Sequence, residues 1–231
     1  MVPDPYRWLE DQNSQETRSW IDAEQKCTEA ALSNLPGRSQ LTKCLRELLH
    51  TDTFEIPTER GGRYFFRKRP AGQELLFLYM RRGRNAPDEV LVDPLPWSTD
   101  HSASVTLENV SRDGKYIFYG RREGGQDEIT PHVLEVDTKK TLADAFPSAN
   151  YFSIEPTPDN KSLYYVRVTP DGPRAFFHHM GDDPANDPII SAGTWERIRF
   201  SLCSFRKMAA TSSTRSFMAQ ALRKTSCMCK M

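Results

Sequence analysis

A short turn-and-strand motif recurs three times in this chain, at intervals of about 50 residues. Each copy opens with residues that tolerate a positive φ angle, runs into an aromatic or β-branched strand, and is followed by a second such run. The first strands are Gly62–Phe66, Gly114–Tyr119 and Asn160–Tyr165, and the second runs are 75–79, 133–136 and 175–178. Several short strands in about 40 to 50 residues are typical of a β-propeller blade. The repeat predicts a mainly β fold, a partial β-propeller of about three blades, over residues 51–190.

The strand pattern leaves one alternative fold open. A β-sandwich is also built of short strands bounded by turn residues, and in that case the regular spacing would be coincidental. The recurrence of the same turn chemistry ahead of each strand favours the propeller.

The first 50 residues have a different texture, which predicts an N-terminal helical segment over residues 1–50. Apolar residues return at helical intervals between Glu16 and His50, including Trp20, Ala23 and Cys27 and then Leu41, Leu45 and Leu48. Pro36-Gly37 interrupts the pattern, so we expect two helices.

The last segment, residues 191–231, departs from both patterns. It contains eight basic residues and only one acidic residue, Glu196, although the whole chain has a formal net charge of zero. This composition predicts a disordered tail, and the abrupt break suggests a frameshift, a retained intron or a mispredicted exon. A basic tail that binds an acidic partner or nucleic acid is the alternative, but its Arg and Lys residues are dispersed rather than clustered.

The opening string Pro3–Asp11 and its continuation Glu16–Ile21 resemble the start of the prolyl oligopeptidase family of serine peptidases. The turns Ser111–Tyr116 and Thr157–Lys161 also resemble the strand-entry turns of that family. In the family, N-terminal helices and a propeller of about seven blades accompany an α/β-hydrolase domain. The resemblance implies that these 231 residues are a truncated, N-terminal part, since they cannot hold all three.

The family's chemistry requires a serine on a strand-to-helix elbow, with a histidine and an aspartate to activate it. The sequence contains no Gly-x-Ser-x-Gly, so we predict no catalytic residue and no metal site in this chain. His178-His179 falls at the end of a predicted strand, where alternation sends the two rings to opposite faces. We therefore expect surface histidines there rather than metal ligands.

The resemblance implies that the whole protein is a serine-type endopeptidase that hydrolyses short proline-containing peptides without a cofactor. Relatives that cleave after basic residues share the propeller, so the preference for proline is the less secure inference. The chain itself, lacking the catalytic triad, is expected to be inactive alone. The alternative function is a non-catalytic, propeller-like module that presents the loops 81–88 and 121–127 to a protein partner.

One substrate-contact candidate follows from the resemblance. Phe152 lies in a propeller segment that can contribute an aromatic side chain near the substrate in relatives. The competing interpretation, an ordinary core aromatic that precedes a strand, is the more common one.

A front piece of a larger protein should also leave surfaces uncovered. We expect an exposed apolar patch of Trp8, Leu9, Trp20 and Ile21, together with open blade edges that favour self-association.

Composition excludes several partner classes. The balanced charge gives no reason to expect nucleic acid, and no apolar run reaches the roughly 20 residues of a membrane span. The five cysteines are an odd number at scattered spacings, which is typical of reduced thiols. With no signal pattern at the N-terminus, these features predict a cytoplasmic protein.

Overall fold

The computed structural model describes residues 4–150, 152–169 and 171–192, which fall into two compact units divided between Thr51 and Asp52. The predicted tail lies, from residue 193 on, outside the described residues. Neither helix in the described residues is long and apolar enough to cross a membrane.

The first unit contains a 3₁₀ turn, Arg7–Glu10, followed by helices α1 (Gln15–Leu32) and α2 (Arg38–Leu49). Helix α1 begins where Ser14 Oγ accepts a hydrogen bond from Thr17 N (3.2 Å), an ordinary N-cap. Gly37, at φ +81°, separates the two helices. The predicted helical pair and its break are confirmed.

The opening string is fixed against α1 by a polar and an aromatic contact. Thr17, the buried residue of α1, donates from Oγ1 to the carbonyl of Trp8 at 3.1 Å. The indole of Trp8 meets that of Trp20 edge to face at 6.2 Å. Trp20 nevertheless remains 45 % exposed.

The second unit is built of short antiparallel strands in three sheets that follow one another along the chain. Their bounds are β1 Thr53–Phe54, β2 Thr58–Arg60, β3 Arg63–Arg69, β4 Phe77–Arg82, β5 Asp88–Val92, β6 Ser104–Val110, β7 Tyr116–Arg122, β8 Thr130–Glu135, β9 Lys140–Thr141, β10 Ser153–Pro156, β11 Ser162–Thr169, β12 Gly172–His179 and β13 Ile189–Ala192. The sheet orders are β1-β3-β4-β5 with β2 also on β3, then β6-β7-β8-β9, then β10-β11-β12-β13. We call these sheets blades 1, 2 and 3. Such consecutive meanders confirm a mainly β, partial β-propeller fold.

The blades pack face to face through apolar side chains. Phe65 and Leu78 of blade 1 share a core cluster with Val105 and Ile117 of blade 2. A second cluster joins Phe118 of blade 2 to residues of blade 3 that include Leu163, Tyr165 and Phe176. The core of this unit therefore lies between sheets, as blade packing requires.

The predicted strand-entry turns lie side by side and press backbone on backbone. A Cβ atom on Gly61 would lie 2.2 Å from the carbonyl oxygen of Asp113, and one on Gly114 would lie 2.7 Å from that of Arg60. The side chain of Asn160 donates to Asp113 Oδ2 at 2.8 Å and so connects the turn of blade 3 to that of blade 2. The three turns thus form a continuous row along one edge of the blades.

Blade 1 faces its neighbour differently from the other two. The repeat aligns Phe65 with Ile117 and Leu163, yet Phe65 faces the following blade while Ile117 and Leu163 face the preceding one. The reason is turn length, since only Gly61-Gly62 separates β2 from β3, whereas five residues separate β6 from β7. A turn of different length shifts strand alternation by one position relative to the shared glycine.

Candidate functional site

Phe152, the predicted substrate-contact residue, immediately precedes β10 and is only 8 % exposed. Its ring stacks on Tyr165 at 5.5 Å with an interplanar angle of 19°. Phe146 meets it edge to face, with the ring centroids 6.2 Å apart. These contacts make Phe152 part of the core between blades 2 and 3, and its assignment as a substrate contact stays a prediction.

The structure brings one serine and one histidine together. Ser162 Oγ lies 2.7 Å from His179 Nδ1 at the start of β11, where Ser162 is buried. Within the part of the chain that the structure describes, no carboxylate hydrogen-bonds to this imidazole. The serine also lies on a straight antiparallel strand rather than on an elbow. The pair therefore lacks the orienting acid and the exposed nucleophile that a serine peptidase needs.

The prediction of surface histidines at positions 178 and 179 is wrong for His178, whose side chain is completely buried. The two rings do lie on opposite faces of β12, and His179 remains exposed. His178 is buried because the connection to β13 folds back over it and brings Asp187 onto its Nδ1 at 3.0 Å. Asp144 approaches the other ring nitrogen, Nε2, at 2.7 Å.

This histidine is the centre of a buried polar cluster that no pattern in the sequence indicated. Burial of the Tyr165 hydroxyl, and then the negative charge of Asp187, raise the pKa of Tyr165. The guanidinium of Arg167 lies over the ring of Phe176 at 4.9 Å, and its positive charge acts on the pKa of Tyr165 in the opposite direction. Such a cluster has no sequence signature, because its members come from different strands and connections.

The other clustered histidine, His132, lies in blade 2 among aromatic residues. Its ring stacks on Tyr119 at 5.2 Å. Burial, followed by the positive charge of Arg121, lowers the pKa of His132. Throughout residues 4–150, 152–169 and 171–192, no three His, Cys, Asp or Glu side chains are arranged to hold a metal ion.

The two loops proposed for a protein partner carry charges that are already paired at short range. Arg81 contacts Asp88 at 2.7 Å, and Arg121 contacts Glu123 at 2.6 Å. Arg121 also covers the ring of Trp97 at 5.2 Å. These contacts hold the loop charges against their own blades.

The geometry first defines a class: consecutive antiparallel sheets of four or five strands, packed face to face and preceded in the sequence by a helical pair, are blades of a β-propeller. Comparison with known proteins then identifies the family. Residues 1–226 match the family described as prolyl oligopeptidase, N-terminal β-propeller domain, and the chain belongs to it.

Several relatives show the same similarity. The chain is 28 % identical over 202 residues to the prolyl endopeptidase of Elizabethkingia meningoseptica, an alignment that covers 83 % of this chain and 28 % of that protein. It is 24 % identical over 225 residues to prolyl oligopeptidase A of Amanita bisporigera, covering 82 % and 29 % of the two chains. The chain thus spans less than a third of the length of these relatives.

Solved structures agree with the sequence comparisons. A prolyl endopeptidase structure superposes with a TM-score of 0.73 at 31 % identity, covering 84 % of this chain and 30 % of that one. Oligopeptidase B from Leishmania major gives a TM-score of 0.65 at 18 % identity, over 82 % and 28 % of the two chains, and so shares the fold.

Proposed function

We propose that this chain is the N-terminal propeller part of a prolyl oligopeptidase-like serine endopeptidase that acts on short proline-containing peptides. The observation that carries the proposal is the superposition of 84 % of this chain on a prolyl endopeptidase structure at 31 % identity and a TM-score of 0.73. The family match over residues 1–226 supports the same reaction class.

In the proposal, hydrolysis depends on a hydrolase domain that residues 1–231 do not contain, and the chain alone is inactive. The residues contain no Gly-x-Ser-x-Gly elbow. Ser162, which hydrogen-bonds to His179 within the described residues, is buried on a regular strand. A nucleophile needs an oriented base and an oxyanion site at the same place.

The propeller's proposed contribution is to limit which peptides reach the catalytic residues. A ring of rigid blades admits a short, extended peptide but excludes a folded protein, so substrate length is selected sterically. Phe152 is the proposed substrate contact within the propeller. The predicted cytoplasmic location is part of the same proposal, and it agrees with the free, exposed thiols of Cys27 and Cys44.

The test is an activity assay on the purified 231-residue chain. A Gly-Pro reporter peptide should be hydrolysed no faster than in buffer, with or without a serine-directed phosphonate. The matched variant Ser162→Ala reports on the one Ser–His pair that the structure contains. Phosphonate-sensitive hydrolysis that disappears in S162A would overturn the proposed inactivity.

Reading the full-length transcript across the codons for Pro188 to Trp195 tests the family origin separately. The proposal expects another reading frame that restores blade motifs and later encodes a Gly-x-Ser-x-Gly elbow. A transcript without such a frame would contradict the proposed truncation and favour the binding module.

A further inference from the structure

His178 is a completely buried histidine held between two aspartates that are almost as inaccessible. Its Nε2 lies 2.7 Å from Asp144 Oδ1, and its Nδ1 lies 3.0 Å and 3.1 Å from the two carboxylate oxygens of Asp187. The side chains of Asp144 and Asp187 are 1 % and 5 % exposed. None of the three belongs to the proposed catalytic chemistry.

With both carboxylates ionised, the arrangement fixes where the ring protons lie. An ionised carboxylate only accepts hydrogen bonds, whereas a neutral imidazole carries a single N–H. A neutral ring could therefore donate to one aspartate only and would leave the other carboxylate facing a bare nitrogen. Both contacts are satisfied together when both ring nitrogens are protonated, which makes the ring a cation between two anions.

The cation connects two segments that are distant in the sequence. Asp144 lies in the connection from β9 to β10, which leads into blade 3, and Asp187 lies in the connection from β12 to β13, which completes it. Asp144 Oδ1 also accepts a hydrogen bond from Gly181 N, at the start of the second connection. The same three side chains thus fix the entry and the exit of one blade.

Further groups enclose the cluster from each packed element. Phe146 covers the His178 ring edge to face at 4.9 Å. The charge of Asp187 raises the pKa of Tyr165 in β11 and the charge of Arg167 lowers it, so both charged groups act on this hydroxyl. His179 points to the opposite face and contacts Ser162.

We propose that Asp144, His178 and Asp187 form a proton-dependent latch that holds the β12–β13 connection onto the β9–β10 connection of blade 3. The latch is closed while both ring nitrogens carry a proton. Loss of one of these ring protons leaves a buried carboxylate facing a bare ring nitrogen and without its cation, which is strongly unfavourable. The connection then opens so that this carboxylate reaches water.

The direct test follows the ring and the connection in the same sample. Selective ¹⁵N labelling of histidine in the full chain reports the protonation of both ring nitrogens as pH rises, and hydrogen exchange reports opening at the Gly181 amide. We expect a doubly protonated ring wherever Gly181 is protected. After correction for intrinsic exchange, Gly181 should exchange about 100-fold faster once the ring proton is lost. The Val136 amide, bonded to Lys115 in blade 2, is the internal control and should not change.

Two matched variants separate the latch from general stability. His178→Gln removes the cation and should leave Gly181 poorly protected at every pH, whereas His179→Gln, its exposed neighbour, should keep the wild-type profile. The proposal would be overturned if the His178 ring carried only one proton while the Gly181 amide stayed protected. It would also be overturned if the exchange rate of Gly181 did not change when the ring proton was lost. The titration of the wild-type chain decides both points even where H178Q fails to fold.

Discussion

At the scale of single residues, Gly61 has the least space for a side chain of the described glycines. Any side chain there would meet the carbonyl oxygen of Asp113 at 2.2 Å, and the residue also adopts φ +56°. Its neighbour Gly62 has φ +74° but no atom within 4 Å of an added Cβ. The positive φ angles of both glycines disfavour residues with a side chain, but only Gly61 is also in close contact with the neighbouring blade.

We therefore expect Gly61→Ala to lower the free energy of unfolding by roughly 2 kcal/mol more than Gly62→Ala. The control variant should lose only the conformational term of about 1 to 2 kcal/mol. Urea unfolding of the two variants and the wild type measures the difference. Equal losses would show that the turns of blades 1 and 2 do not press on each other.

The sequence predicts a residue's conformation well when neighbouring residues determine it, and poorly when tertiary contacts do. Gly114 and Asn160 both have the positive φ angles, +70° and +56°, that the turn motifs indicated. The burial of His178 was not predictable, because its two aspartates lie 34 and 9 residues away along the chain. A side chain whose environment is assembled by tertiary contacts has no signature in the residues beside it.

At the scale of elements, Arg67 in β3 connects the β1–β2 turn of its own blade to the next blade. Its Nε and Nη2 contact the two carboxylate oxygens of Glu55 at 2.7 Å and 2.6 Å. Its Nη1 donates to the carbonyl of Val105, in the first strand of blade 2, at 2.9 Å. Only a planar, forked cation can satisfy both partners from one position.

We expect Arg67→Lys to cost about 1 to 3 kcal/mol of unfolding free energy, because lysine keeps the charge but makes only one of these contacts well. Arg60→Lys is the matched control: this exposed arginine contacts only the carbonyl of Glu59, and the change should stay within about 0.5 kcal/mol. Thermal and urea unfolding of both variants check the prediction. Similar values for the two would argue against Arg67 as a connection between blades.

The strands show the same difference between local properties, which the sequence predicts, and tertiary ones, which it does not. Runs of aromatic and β-branched residues located β3 and β4 to within a few residues. The direction in which blade 1 presents Phe65 was not predictable from the repeat, since it depends on a two-residue turn where blades 2 and 3 have five. Strand existence is a local property, whereas the face a strand buries depends on its connection.

At the scale of the whole molecule, family and fold were accessible from sequence because the opening string and the repeat are both contiguous patterns. The substrate contact at Phe152 stays a prediction, because its described surroundings are those of a core aromatic and no substrate is present to test it. The two units also differ sharply in how they bury apolar surface. Helix α2 contains no buried residue, whereas β11 contains a run of five from Ser162 to Val166.

This difference predicts an uneven distribution of stability along the chain. A 12-residue helix without buried side chains is marginal in water, since helices of this length depend on tertiary packing. We expect hydrogen exchange of the intact chain to give α2 amides protection about 100-fold or more below that of β11, equivalent to roughly 3 kcal/mol.

A pair of leucine truncations tests the same distribution by an independent route. Leu48→Ala, at a side chain that is 67 % exposed in α2, should change the free energy of unfolding by no more than about 0.5 kcal/mol. Leu163→Ala, at a completely buried side chain in β11, should cost roughly 2 to 5 kcal/mol. Equal protection of α2 and β11, or a large cost for L48A, would mean that another surface covers the leucines of α2 in solution. Because those leucines are exposed in the first unit, light scattering at increasing protein concentration would then show whether a second copy of the chain supplies that surface.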